Sequence, residues 1–538
     1  MRKFLTIVTG TLVTGTLFAG GLVTNTNQSA AWVRMPSRNA SVETDAVYYN
    51  PAGLTKLNDG FHVSLSNQSI WQTREVGNDY TYLHENLYTG KVTAPLFPSI
   101  YAVYKIKKFA FSLGFMPVGG GGGATYDKGL PSFEMSQSDL VPQLALTPLA
   151  ATDYSMDIYF KGSSTFLGYQ GTVSYKIADW LSIAAGARYV TAKNKYEGYL
   201  RDVSVTTILG PIPASIIMGM AADSAHVGGS NLETLAGSPY GSHTAQWCVD
   251  NGVINTATRD KIYAGLAQLG VTNYTLLTII QSRDTFYGKE IEYDLKANLL
   301  SDQSADVTQT GHGITPIINV NISPTDNLNI AIKYEMKTKI EVKNKTKEDL
   351  LIGYTATGTP ITQFPDGEKI RNDMPALLTI GIDYSFSKFK IAAGMDYYFD
   401  KSADYGHYVD ADLNPTTAET HIDNKDIIEH NGYALEAALE YNMSKSFLIS
   451  GGYIYANKGV NAAYQSDLTF ANATHSVGAG GAYSLLDGKL RINLGAAYTW
   501  YVKDDKKVDH FLGTTNMLPT ETYKKKTFIL GVGLDFNF

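Results

Sequence analysis

The chain has one cysteine, Cys248, in 538 residues. No disulfide can form within it, and no cysteine-based metal cluster can be built. Past its first residues it also lacks any apolar run of roughly 18 or more, which excludes membrane-spanning helices. Charge is sparse, at 18% of residues, and acidic residues (51) outnumber basic ones (44). That balance disfavours nucleic acid as a partner. A Gly-x-Ser-x-Gly elbow and a His-Glu-x-x-His motif are both absent, and the ten histidines show no convincing metal spacing. No catalytic residue, metal or cofactor is therefore assigned, and the chain is not expected to be an enzyme. The five glycines 119–123 are followed by no Gly-Lys-Ser/Thr. They are read as the flexible start of a long loop, not as a phosphate cradle.

What the chain has in quantity is tyrosine, 36 residues, and glycine, 50 residues. Tyrosine suits strands and water–lipid boundaries, and glycine suits turns and crowded backbone. The N-terminus carries Arg2 and Lys3, then an apolar stretch from Phe4 to Phe18 and a small residue at Ala19. This is the pattern of an export signal, expected to span residues 1–19.

From Gly60 onward the pattern is apolar alternation at period two. In "FILGVGLDFNF", Phe528, Leu530, Val532, Leu534, Phe536 and Phe538 share one face, and Gly531, Gly533, Asp535 and Asn537 lie on the other. Such runs are about 10 residues or longer, enough for a tilted strand to cross a bilayer. One face is large and apolar, and the opposite face is polar or tiny. Six connections are tight, such as "YKIKKF" (104–109) and "YSFSKF" (384–389). Tyr104, Tyr175, Tyr384, Tyr441 and Tyr483 precede five of these turns on the apolar face, as an aromatic girdle would. Longer connections alternate strictly with the short ones.

The expectation is an all-β fold: a 14-stranded antiparallel transmembrane β-barrel over residues 60–538. The second to fifth strands are placed at 97–106, 108–117, 162–177 and 180–200, and the seventh at 326–343. Residues 201–304 form a long extracellular insertion with helical stretches at 213–225 and 256–270. Within it Ile216, Ile217, Met218 and Met220 are either the core of a small helical layer or a greasy capture surface. Lys333, Glu335, Lys337, Arg491 and Asp535 face the interior and are read as a hydrated, mutually paired lumen wall. Terminal Phe538 resembles the signal by which outer-membrane barrels engage the barrel-assembly machinery.

Residues 20–59 precede the first strand and contain "DAVYYNPAGLTKL". Asn50-Pro51-Ala52, extended by Gly53 and Leu54, matches the NPA motif of the FadL/OmpP1/TodX family of outer-membrane transporters. The segment and the strand count together resemble that family. The resemblance implies a monomeric barrel in the bacterial outer membrane with residues 20–59 as a hatch inside its lumen. It implies passive uptake of hydrophobic molecules, such as long-chain fatty acids or aromatic hydrocarbons. Capture would occur near the extracellular loops, and exit would be sideways into outer-membrane lipid, through a gap beside a kinked third strand. The motif carries over Asn50, Pro51 and Ala52, extended by Gly53, as hatch or lateral-gate residues; Gly114 and Pro117 are read from their own chemistry, apart from the resemblance, as the disruptors of strand three. Two other functions fit the same barrel pattern: a general or ion-selective porin, and an outer-membrane enzyme or adhesin acting through 201–304. A simple porin gives no reason for a hatch.

Overall fold

The computed structural model describes residues 24–538, apart from 356–357, 406–407, 410–419, 422–423 and 514. The expected export signal, 1–19, lies outside the described residues. Alternation at period two becomes strand geometry because successive side chains point to opposite faces. Fourteen barrel strands follow in order. They are β1 (Gly60–Asn78), β2 (Leu87–Ile106), β3 (Phe109–Tyr126), β4 (Asp153–Ala178), β5 (Leu181–Thr207) and β6 (Gln303–Thr325). Then come β7 (Leu328–Glu335, resuming at Glu341–Glu348), β8 (Lys369–Arg371, then Leu377–Phe386) and β9 (Phe389–Tyr398). The last are β10 (Tyr433–Asn442), β11 (Phe447–Asn457), β12 (Thr474–Leu485), β13 (Leu490–Tyr501, then Asp504–Lys507) and β14 (Thr520–Asn537).

Every neighbour pairing is antiparallel, and β14 returns to β1 from His62↔Asn537 to Asn78↔Glu521. The sheet therefore closes and leaves no edge strand. The outward row of β14 stays exposed, with Phe528, Leu530 and Val532 at 40–52%, whereas inward Thr527 and Ile529 are each at 7%. An apolar outer band thus surrounds a filled interior. Lys107 and Ser387 take positive φ in two of the tight turns, as two-residue hairpins require.

Several strands run well past their expected ends. β2 begins at Leu87 and not 97, β3 reaches Tyr126 and not 117, β4 starts at Asp153 and not 162, and β5 ends at Thr207. Beyond the apolar band neither face needs to be greasy, so alternation fades while the ladder continues. The glycines 119–123 are a second correction: they lie inside β3, not in a loop. The expected seventh strand is broken at 336–340.

At the long-loop end the insertion forms helices over Ala214–Ser230, Thr256–Gln268 and Ile279–Leu299. The first two match the expected helical stretches. The third has a capping box at Thr278 and Gln281.

Candidate functional site

Residues preceding β1 fill the barrel. Helix α1 (Ala30–Arg34) is capped by Ser29, whose hydroxyl accepts from the Trp32 amide. Helix α2 (Ala46–Tyr49) leads through Asn50 into a 3₁₀ turn, Pro51–Lys56. Proline suits that first position because its missing N–H needs no partner there. Asp45 organises the segment. It accepts from Ser29 Oγ at 2.9 Å, Ser41 Oγ at 2.7 Å and Arg38 at 2.8 and 3.0 Å. Arg34, fully buried, donates to Glu440 at 2.6 Å, Ser450 at 2.9 Å and Asn493 at 3.0 Å on the wall. Arg491 reaches Glu43, and Asn39 Nδ2 donates to Asp396 at 2.9 Å.

The NPA tripeptide is buried against one side of the wall. Asn50 Nδ2 donates to the Ser41 carbonyl at 3.0 Å and to Asn321 on β6 at 2.7 Å. The Ala52 amide donates to Asn319 at 2.6 Å, and Ser174 Oγ on β4 donates to the Pro51 carbonyl at 2.7 Å. A Cβ on Gly53 would lie 2.4 Å from Asn50 Nδ2 and 2.8 Å from the Ser41 carbonyl. Glycine is required there by close approach.

The wall itself is interrupted. β2 and β3 pair at Lys91↔Thr125 and Val92↔Ala124, then not again until Ile100↔Phe115. Residues 93–99 and 116–123 face each other across that break. Pro95 and Pro98 remove two donors from β2, and β3 shifts register twice against β4, at Pro117/Gly119 and Gly119/Gly122. Gly120 sits at φ +96°, where a Cβ would meet the Ser164 carbonyl at 2.2 Å. The segment entering the hatch satisfies the free carbonyls of β3 from within. Thr24 bridges to Gly119. The Asn25 amide donates to the Val118 carbonyl at 2.9 Å, and Gln28 Nε2 donates to that of Pro117 at 2.9 Å.

The expected gate residues therefore separate. Pro117 lies at the break. Gly114 does not disrupt the strand: it is a regular rung between Tyr101 and Gln170, and its hatch neighbour is Val47. The NPA tripeptide docks on β4 and β6, away from the break. Thr24, Asn25 and Gln28, missed by sequence reasoning, occupy the place given to it. The prolines of β2 were the available signal.

Above the break lies a packed apolar cluster at the long-loop end. Tyr88, Val92, Ala124, Tyr126, Phe160 and Phe470 belong to it. The rung Val92↔Ala124 is thus both the upper edge of the break and part of the cluster. Helix α3 (Pro131–Ser138) sits over it, held by Glu134, which accepts from Tyr88 and from Tyr154. Two cations face inward side by side, Arg74 on β1 and its register partner Lys525 on β14. Arg74 Cζ lies 4.8 Å over the Phe470 ring, and Lys525 Nζ lies 4.5 Å over that of Tyr501. Arg74 Nε is buried without a partner, and neither cation has an ion pair among the described residues.

The remaining expectations divide. Ile217 and Met218 are buried in a cluster with Leu140, Val203 and Val205, whereas Ile216 and Met220 are exposed. Lys333, Glu335 and Arg491 are paired, with the segment preceding β1 and with each other. Lys333, 2% exposed, donates to the Tyr48 carbonyl at 2.7 Å and to Glu335 at 2.7 Å. Phe538 is exposed, with its amide donating to the Phe61 carbonyl at 2.8 Å.

Among solved structures the chain resembles a Pseudomonas aeruginosa FadL homologue, at 13% identity over 96% of this chain and 99% of that one, with a TM-score of 0.56. The chain has the FadL-type barrel fold. A TodX deletion mutant, a monoaromatic hydrocarbon channel, is similar over 96% of this chain and 100% of its own, at 13% identity and TM-score 0.52. No family model and no curated protein matches the sequence. At such identity the shared FadL-type architecture is the finding, and the chain's own residues must carry any statement about cargo.

Proposed function

We propose that this FadL-type barrel takes up hydrophobic molecules passively across the bacterial outer membrane, with acidic amphiphiles such as long-chain fatty acids as the preferred cargo. In this reading residues 1–19 direct export, 20–59 are the hatch, and 60–538 form the monomeric barrel. Tight turns face the periplasm, and Phe538 serves barrel assembly. The observation that carries the proposal is the shared rung Val92↔Ala124, which joins the apolar cluster to the break in the wall. A greasy chain gains about 0.8 kcal/mol for each CH₂ kept from water. A route along the apolar cluster to the break and into lipid keeps that gain throughout, whereas a straight aqueous pore forfeits it.

Arg74 and Lys525 supply the preference for an acid. Like charges directly opposite on neighbouring strands repel, and a bound carboxylate between them relieves that repulsion. The aromatic rings below them suit a chain or a ring equally. The TodX neighbour, a hydrocarbon channel, supports the hydrophobic cargo and leaves its head group to these residues.

The test is a reversible lock. Thr24 and Gly119 are bridge partners, so Thr24→Cys with Gly119→Cys places a disulfide across the gate segment and β3. Oxidised cells should lose uptake of labelled fatty acid, and reduction should restore it. Undiminished uptake in the oxidised state, with the disulfide verified, would sink the lateral route.

A further inference from the structure

One sector of the outer surface is unlike the rest. Along the outward row of β14 the apolar residues stop at Phe528 and are followed by Lys526, Lys524 and Thr522. Lys526 pairs in register with Thr73 on β1, which pairs with Lys91 on β2, and Lys524 pairs with Glu75. On the other side β13 carries a bulge. Trp500 pairs with Lys526 and Asp504 with Tyr523, so four steps on β13 span three on β14. The extra residue opens the ladder and turns Lys503 towards the same place. A surface pocket of about 200 Å³ results, lined by Thr73, Glu75, Tyr501, Lys503, Lys524, Lys525 and Lys526.

Its charge is locally inverted. Lys91, Lys503, Lys524 and Lys526, all exposed, meet two carboxylates: Glu75, and Asp505 at 2.8 Å from Lys503. The whole chain carries a net −7. Its depth is also defined. Directly below, Trp71 stacks on Phe528 with ring centres 6.0 Å apart, and His475 stacks on Trp500 at 5.5 Å. Tryptophan marks the level where acyl chains give way to head groups. The lysines therefore stand where head-group phosphates lie, on the outside of the wall. Lys525, whose ammonium lies 4.5 Å over the Tyr501 ring, reaches the inner end of the same pocket.

We propose that this pocket binds the phosphate of a phosphorylated lipid head group in the outer leaflet through its exposed lysines, Lys503, Lys524 and Lys526. It rests on the membrane placement proposed above. The bulge at Tyr501–Lys503 gives the pocket its floor, and three ammonium groups, each with three N–H donors, supply the ligands. Glu75 sets a limit on affinity and favours a ligand with two phosphate charges over a zwitterion.

The test uses the full chain purified in a neutral maltoside detergent and native mass spectrometry. Bisphosphorylated lipid A should bind as one retained copy, and the same lipid stripped of phosphate should not. Lys503→Gln, Lys524→Gln and Lys526→Gln together should weaken binding by about a hundredfold, taking each lysine near a charged membrane surface as worth roughly a fivefold change. The corresponding Lys→Arg triple should retain it. Equal retention of phosphorylated and dephosphorylated lipid would overturn the proposal, as would an undiminished Gln triple. Full competition by millimolar inorganic phosphate would also overturn it, since the site would then take free phosphate. If the Gln triple fails to fold, the phosphorylated and dephosphorylated pair on the unaltered chain still decides. Insertion into phosphatidylcholine vesicles, measured separately, distinguishes failure of the lipid site from failure of the membrane reading itself.

Discussion

Replacing Arg34 by Met tests how the hatch is held. Arg34 is fully buried, and Glu440, its partner at 2.6 Å, is 6% exposed at the side chain. Breaking a buried pair by removing one member leaves the other charge uncompensated, at about 3–5 kcal/mol. Glu440 keeps a second cation, Lys390, at 3.9 Å, so the lower figure of ~3 kcal/mol applies. That cost falls on hatch docking, because the barrel ladder closes through β1 and β14 without Arg34. Hydrogen exchange in detergent micelles reads it directly. Amides of 30–57 should exchange about a hundredfold faster, while those of β1 and β14 keep their protection. Adding Glu440→Gln should recover much of the loss, since both charges are then gone. If the hatch amides were unchanged, or if barrel and hatch lost protection together, the reasoning would fail.

Four further outcomes are expected. Gly53→Ala should displace Asn50 and the Ser41 carbonyl, loosening the hatch by roughly 1–3 kcal/mol and raising single-channel conductance in planar bilayers. Arg74→Gln with Lys525→Gln should lower fatty-acid affinity tenfold or more and leave toluene uptake within about twofold; equal losses for both cargoes would refute the acid preference. Gly120→Val should disrupt β3 at the break, seen as reduced heat resistance of the barrel band on gels, since both the positive φ and the Ser164 carbonyl oppose a side chain. Asp467, in the loop above the apolar cluster, accepts from the Ser132 amide at 2.8 Å, and burial pushes its carboxyl upward while bonds from Ser132 oppose this. A raised carboxyl contributes stability that is full below the ordinary carboxylate range and is lost as pH rises through the raised value. Protease nicking near α3 should therefore increase with pH over that window, and Asp467→Asn should flatten the dependence.

The girdle tyrosines, the tight turns and the outward row of β14 were all legible in the chain, because lipid-facing alternation and hairpin chemistry are local properties. Asn50-Pro51-Ala52 was legible as a motif, but its dock was not. Its partners, Ser174, Asn319 and Asn321, are more than a hundred residues away along the chain. Gly114 was misread for the same reason: a glycine inside an alternating run looks like a weak point, yet here it makes room for Val47 and Met116. The break itself forms where Pro95 and Pro98 of one strand meet Pro117 and the glycines of the next.

Sequence alone determined the number of strands, their order and which face of each is greasy, since a period of two and alternating short and long connections leave few other closed arrangements. Tertiary structure decided where the wall opens, which residues plug it, and that Arg74 and Lys525 stand together with no ion-pair partner among the described residues. Those facts depend on register between strands joined only when the barrel closes. The β1–β14 seam brings Arg74 beside Lys525 across 451 positions of chain, and nothing local in either segment encodes that meeting.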